Sequence, residues 1–184
     1  MDLVVTLSTA NAAEGSLAWA LAKIVQQLTR HNEGVLVPGG LEVSATAEKF
    51  KTTETAYFKI GGVQYTKAAT DNLEFSVGHV VKAEKWGAIL IQIDAAGTIS
   101  TKVSGAEQAF DTRAAAEAAL PAPDEGNVAL GHLVVQAQDS DGHGDWTANA
   151  DDLTDDVAFA EFVDVEKPPA VARLVVRNYP NGQL

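Results

Sequence analysis

The stretch AYFKIGGVQYTKAATDNLEF, residues 56–75, decides the fold class. Ala56, Phe58 and Ile60 alternate with Tyr57 and Lys59, and Val63 and Tyr65 alternate with Gln64 and Thr66. Both runs have the two-residue period of a strand with one apolar face. Gly61-Gly62 between them takes positive φ without a Cβ penalty, as a type I′ turn requires, and the twist of that turn matches antiparallel strands. The segment predicts a β-hairpin.

Strand text continues on the C-terminal side. LEFSVGHVV (73–81) and WGAILIQIDAAGTISTKV (86–103) follow, the latter with Ile89, Ile91 and Ile93 in alternation and a turn at Asp94-Ala95-Ala96-Gly97, which predicts a second hairpin. Ser104 and Glu107 have capping-box spacing ahead of AEQAFDTRAAAEAAL (106–120), whose alanines favour helix and whose end is set by Pro121 and Pro123. That spacing predicts a helix over 105–119. VALGHLVVQA (128–137) and VAFAEFVDV (157–165) read as strands separated by a polar stretch from Asp139 to Asp156. Pro168-Pro169 closes the unit, and VARLVVRNYPNGQL (171–184) alternates Arg173, Val175 and Arg177 with Leu174 and Val176, the pattern of a terminal strand that pairs with its own sheet or reaches a neighbour.

On the N-terminal side, Leu17, Leu21, Ile24 and Leu28 make an apolar stripe within Asn11 to His31, widened by Val25, with Lys23, Gln26, Gln27 and Arg30 on other faces. Asn11 and Glu14 have N-cap spacing and Gly34 suits the stop, so the pattern predicts an amphipathic helix that packs on its own domain or on another copy of the chain. VLVPGGLEVSA (35–45) reads as a turn or linker. The expected fold is α+β: a β-rich domain of antiparallel hairpins with one Ala-rich helix, preceded by the N-terminal helix. The expected organisation is an attachment or oligomerisation segment over 1–50, the β-rich domain over 51–167, and a C-terminal arm or strand over 168–184.

The 184 residues suffice for one domain with a small attachment. With no cysteine, disulfides, zinc–cysteine sites and thiol nucleophiles are excluded. No apolar run reaches the ~18 residues of a membrane span, and the N-terminus lacks the basic and apolar regions of a signal peptide, so a soluble, unprocessed chain is expected. The net charge is -12, and no Lys or Arg occurs between Arg113 and Lys167, an interval holding 13 of the 25 acids. An acidic patch follows, and it disfavours nucleic acid and anionic membranes as partners, because both require basic groups facing phosphate.

Motifs for chemistry are sparse. His31, His79, His132 and His143 lie in separate segments without metal-ligand spacing, and no nucleophile elbow or phosphate-binding glycine loop is present. His79 and His132, within strand text, read as partly buried polar or sheet-face residues. Asp139, Asp141 and Asp145, with Gly144, imitate a calcium loop, since Ca²⁺ takes six to eight oxygen ligands around a sharp turn. The imitation is incomplete: His143 stands where an oxygen ligand belongs and Ala150 where the bidentate Glu belongs. Asp151, Asp152, Asp155 and Asp156 suit either turn capping or a basic partner surface. Trp146 reads either as an interface anchor or as a ring folded over the sheet edge.

The order of these words from Ala56 to Val163 resembles a domain of virion structural proteins from tailed bacteriophages. The specific parts are the Gly61-Gly62 hairpin followed by Lys67-Ala68-Ala69-Thr70-Asp71, the Ile93-Asp94-Ala95-Ala96-Gly97 turn, and Leu120-Pro121-Ala122-Pro123 ahead of Leu130-Gly131-His132-Leu133-Val134-Val135. The resemblance implies a β-rich module of the capsid-decoration or head-fibre type, located in the virion, acting as a homo-oligomer on the major capsid protein or other virion proteins, with no catalytic residue and no cofactor. Leu17, Leu21, Ile24 and Leu28 would then serve helix packing, and Leu174 and Val176 strand addition. The alternatives are a calcium-assisted ligand-binding module of a surface or tail adhesin, built on Asp139, Asp141 and Asp145, and more remotely a hydrolase with an acid pair in residues 139–164.

Overall fold

A computed structural model of the chain describes residues 33–76, 78–138 and 144–165. The stripe Leu17, Leu21, Ile24, Leu28 and the arm residues Leu174 and Val176 lie outside the described residues.

The first hairpin forms as read. Strand β4 (Ala56–Ile60) pairs antiparallel with β5 (Val63–Lys67), Ile60 facing Val63 across a turn in which Gly61 and Gly62 have φ of 58° and 81°. The second hairpin joins β8 (Trp86–Asp94) to β9 (Ile99–Lys102), and β8 also pairs along most of its length with β11 (Asn127–Ala137). Strand β13 (Val157–Asp164) completes a four-stranded antiparallel sheet in the order β13-β11-β8-β9.

Smaller sheets close over its front face. One joins β1 (Gly34–Val37) to the first hairpin, and another joins β2 (Leu41–Val43), β3 (Phe50–Thr52) and β6 (Thr70–Leu73). The third joins β7 (Val80–Val81), β10 (Glu107–Gln108) and β12 (Trp146–Thr147), with β7 and β10 parallel. The core lies between these layers: Ile89, Ile91 and Ile93 of β8 and Leu133 and Val135 of β11 meet Val35, Leu41, Phe50 and Phe58. Phe75 links the aromatic part, its ring centroid 4.8 Å from that of Phe50 and 6.1 Å, edge-on, from that of Trp146. Val35 and Leu41 share this core with Phe58, so residues 34–50 are built into the β-rich body.

The Ala-rich helix is shorter than its sequence predicts. Helix α1 spans Arg113–Ala118, and its N-cap is Thr112, whose Oγ1 accepts a hydrogen bond from Ala115 N at 3.2 Å. The Ser104–Glu107 pair caps nothing; Glu107 and Gln108 are instead in β10. Tertiary pairing outweighs the local signal here: Phe110 exchanges backbone hydrogen bonds with Trp86, of 2.8 and 3.1 Å, and holds the chain extended up to residue 110. Helix α1 then lies on the back face of β8, burying Ala116 beside the face that carries Ala88 and Leu90. Strand β8 is consequently buried on both faces, from Gly87 to Ile93.

Candidate functional site

Three polar clusters among the described residues tie the large sheet to the elements around it. The first is the back face of the large sheet. The register places His132 opposite Leu90 and Val163, and Glu161 opposite Val134. Arg113, at the start of α1, hydrogen-bonds Glu117 (2.8 Å) and Glu161 and sits 5.4 Å over the Phe159 ring, while Phe159 tilts against Trp86. His132 Nε2 is 3.8 Å from Glu117 Oε1 and makes no hydrogen bond. Burial holds its imidazole below the ordinary value, against an opposing pull from the Glu117 carboxylate. Glu117 is itself held low by Arg113. The arrangement fastens helix to sheet through one guanidinium shared by two carboxylates. The four-residue spacing of Arg113 and Glu117 was the available sequence signal; Glu161, 48 residues away, gave none.

The second place is the free flank of β8. Strand β9 pairs with residues 90–93 and Phe110 with Trp86, which leaves Ala88 between them without a strand neighbour on that side. The buried side chain of Gln108 fills the gap. Its Oε1 accepts from Ala88 N at 2.7 Å and its Nε2 donates to Ala88 O at 3.1 Å, reproducing both bonds of a paired residue. Nearby, Gln92 is likewise buried and closes a two-way contact with Asp124: Asp124 N donates to Gln92 Oε1 at 2.8 Å, and Gln92 Nε2 donates to Asp124 Oδ2 at 2.6 Å. Lys102 pairs with the other Asp124 oxygen at 2.6 Å. This docks the proline link after α1 onto the sheet.

The third place is the flank of β9. Ser76 N donates to Thr101 Oγ1 at 2.7 Å, Ser76 Oγ donates to Thr101 O at 3.0 Å, and His79 Nε2 lies 3.0 Å from Thr101 Oγ1. Burial pushes the His79 imidazole below its ordinary value. His132 is a partly buried residue of β11, whereas His79 is buried and lies just ahead of β7.

Of the residues singled out for calcium, Asp145 alone falls among the described residues. Asp139 and Asp141 lie outside the described residues. Asp145 is engaged as an ion-pair and capping group: Lys82 Nζ donates to its Oδ2 at 2.9 Å and Ala83 N to its Oδ1 at 3.0 Å, and the Lys82 contact holds its carboxyl below the usual range. No group of three or more metal-ligating side chains occurs among the described residues. The aspartates that follow cap their own turns. Asp151 accepts from Thr147 N at 2.6 Å, Asp152 from Thr154 N at 2.6 Å, and Asp156 from Asp152 N at 2.7 Å. Trp146 is 1% exposed and packs edge-on against Phe75 within the core.

Compared with known proteins, the chain matches no family model, no curated protein and no solved structure.

Proposed function

We propose that this chain is a non-enzymatic structural component of a tailed-bacteriophage virion, of the capsid-decoration or head-fibre type, acting as a homo-oligomer. The observation that supports the reading is where the resembling words fall. Gly61-Gly62 and Asp94–Gly97 are the turns of the two hairpins, and Leu130–Val135 is the middle of a strand paired on both sides. Gly131 in that strand permits a close approach, because a Cβ there would collide with the Val163 carbonyl oxygen and the Leu41 side chain. These words therefore specify a framework. Three of the buried polar side chains, Gln92, Gln108 and Thr101, spend their hydrogen bonds on the same framework, to backbone or neighbouring loops.

Two measurements test the reading. Light scattering of the full chain at tens of micromolar should give a multi-chain mass, and an image reconstruction of intact particles should contain density for this fold. A single-chain mass together with failure to co-sediment with capsids overturns it.

A further inference from the structure

We infer that the outer edge of β13 is a docking site for residues 171–177 of a second copy of the chain, which add to the large sheet as a fifth strand. The inference rests on the homo-oligomer reading above and names the surface through which the copies join.

Strand edges present unpaired backbone N–H and C=O groups and accept another strand unless something blocks them. The two edges of the four-stranded sheet differ in this respect. On the β9 side, Ser76 is hydrogen-bonded to Thr101, and further along that flank Gln108 occupies Ala88 and Phe110 pairs with Trp86. The β13 side has no strand hydrogen-bonded to it among the described residues; the side chain of its last residue, Asp164, accepts a hydrogen bond from Leu41 N at 3.2 Å. Eight residues, Val157–Asp164, thus form an edge with neither proline nor lysine on it. The edge strands of the smaller sheets have five residues or fewer, and the longest of them, β5, lies beside Lys59 and ends at Lys67.

Length and charge identify the occupant. VARLVVR, residues 171–177, alternates in period two and nearly equals β13 in length. From residue 167 to the end the chain carries Lys167, Arg173 and Arg177 and no acid, within a protein of net charge -12. Glu161 of β13 is already paired with Arg113, so the acidic charge lies at the end of the strand, where Glu42 and Glu54 stand close to Asp164. A basic strand is thereby matched to an edge with an acidic end. A second copy is favoured over a fold-back because residues 168 and 169 are both proline. Proline fixes φ near −65° and lacks an N–H, and its ring biases the residue before it toward extended backbone. Such a linker advances ~3.1 Å per residue and resists the tight reversal that pairing with its own β13 would need.

The test uses the full chain and two full-chain variants, Val175→Pro, which removes an N–H from the middle of the added strand, and Arg173→Glu with Arg177→Glu, which reverses its charge. Mass is read by light scattering, and amide exchange is read on peptides from β13 and, as a control for folding, from β8 and β11. The expected result is a multi-chain wild type. In Val175→Pro the mass should fall towards one chain and the outward amides of β13 exchange at least about tenfold faster, with β8 and β11 unchanged. The charge variant should move both readouts the same way. Faster β13 exchange at unchanged mass means that the arm lies on its own sheet and refutes the second-copy occupant. A fall in mass with unchanged β13 exchange refutes this edge as the acceptor. No change in either refutes the docking while the homo-oligomer reading stands, and a single-chain wild type overturns both.

Discussion

Removing the side chain of Gln108 should cost far more than its position in a two-residue strand implies. The side chain is buried and makes both of its hydrogen bonds to one backbone unit, that of Ala88, at 2.7 and 3.1 Å. Gln108→Ala leaves that N–H and C=O without partners on a flank where no strand can slide in. An orphaned buried polar group costs roughly 1–3 kcal/mol, so the pair comes to about 3 kcal/mol after some water entry. At roughly 2–4 °C per kcal/mol, the midpoint of thermal unfolding should fall by about 6–12 °C. Gln64→Ala, on the exposed face of β5, is the matched control and should stay within about 0.5 kcal/mol of wild type.

Gln108→Glu sharpens the test, because its effect depends on pH with a definite sign. An ionised carboxylate still accepts from Ala88 N but turns a second oxygen toward Ala88 O, whereas the protonated acid restores both bonds. The folded state therefore raises the pKa of the introduced carboxyl above its unfolded value of ~4.3. Its stabilising contribution is fully present below that value and is lost as pH rises through the folded pKa. Relative to wild type at each pH, the variant should be nearly equal near pH 4 and clearly weaker near pH 8, in urea titrations monitored by tryptophan fluorescence. If Gln108→Ala unfolds with the Gln64→Ala control, or the Glu variant shows no pH-dependent difference, the surrogate-strand account of Gln108 is wrong.

Gly131→Ala should destabilise by about 1–3 kcal/mol in the same urea titration, since the added carbon meets the Val163 backbone oxygen, which cannot rotate away. Thr112→Ala should cost about 1 kcal/mol as an N-cap loss, whereas Ser104→Ala, exposed and outside the helix, should fall within about 0.5 kcal/mol of wild type; the reverse order would restore the longer helix. His79 is held neutral by burial, so its contribution is fully present above its unfolded pKa of ~6.5 and is lost as pH falls from there toward its lowered folded value. NMR titration of the His79 ring should give a midpoint below that of a model peptide, and a midpoint at or above it contradicts the assignment. Because Asp145 is already engaged with Lys82 and Ala83, millimolar Ca²⁺ should leave the melting midpoint unchanged, whereas a rise reversed by chelator would support the calcium reading.

The parts of the fold legible in the sequence are those whose signal is local. A period of two on either side of Gly61-Gly62 fixes the first hairpin, because turn and strands are within twelve residues of each other. Isoleucines at 89, 91 and 93 give one face of β8 correctly. Nothing in the same nine residues says that Ala88, Leu90 and Gln92 are covered too, since that cover comes from α1 and from Asp124. The helix start was misplaced for the same reason. Ser104 and Glu107 have the spacing of a cap, but the pull of Trp86 on Phe110 comes from 24 residues earlier in the chain. Trp146 stood in a polar, acidic neighbourhood that invites an exposed reading, and only its pairing with Val81 and contact with Phe75 bury it.

These nonlocal contacts share a pattern. At Ala88 and at Thr101, a side chain or loop stands in for a missing strand and consumes the backbone or flank groups that another molecule could otherwise pair with. Sealing a sheet edge with buried polar side chains is costly in a fold that has no disulfide to hold it, because each such group must find its partner or destabilise the core. A chain that accepts this cost on one edge of its sheet, yet has no strand paired to the other edge among the described residues, is not protected against edge-to-edge aggregation in general. The asymmetry directs strand addition to one side, and a basic segment of matching length lies in the same chain. On physical grounds the open edge is therefore better explained by an occupant than by neglect, and that occupant should be the same in every copy.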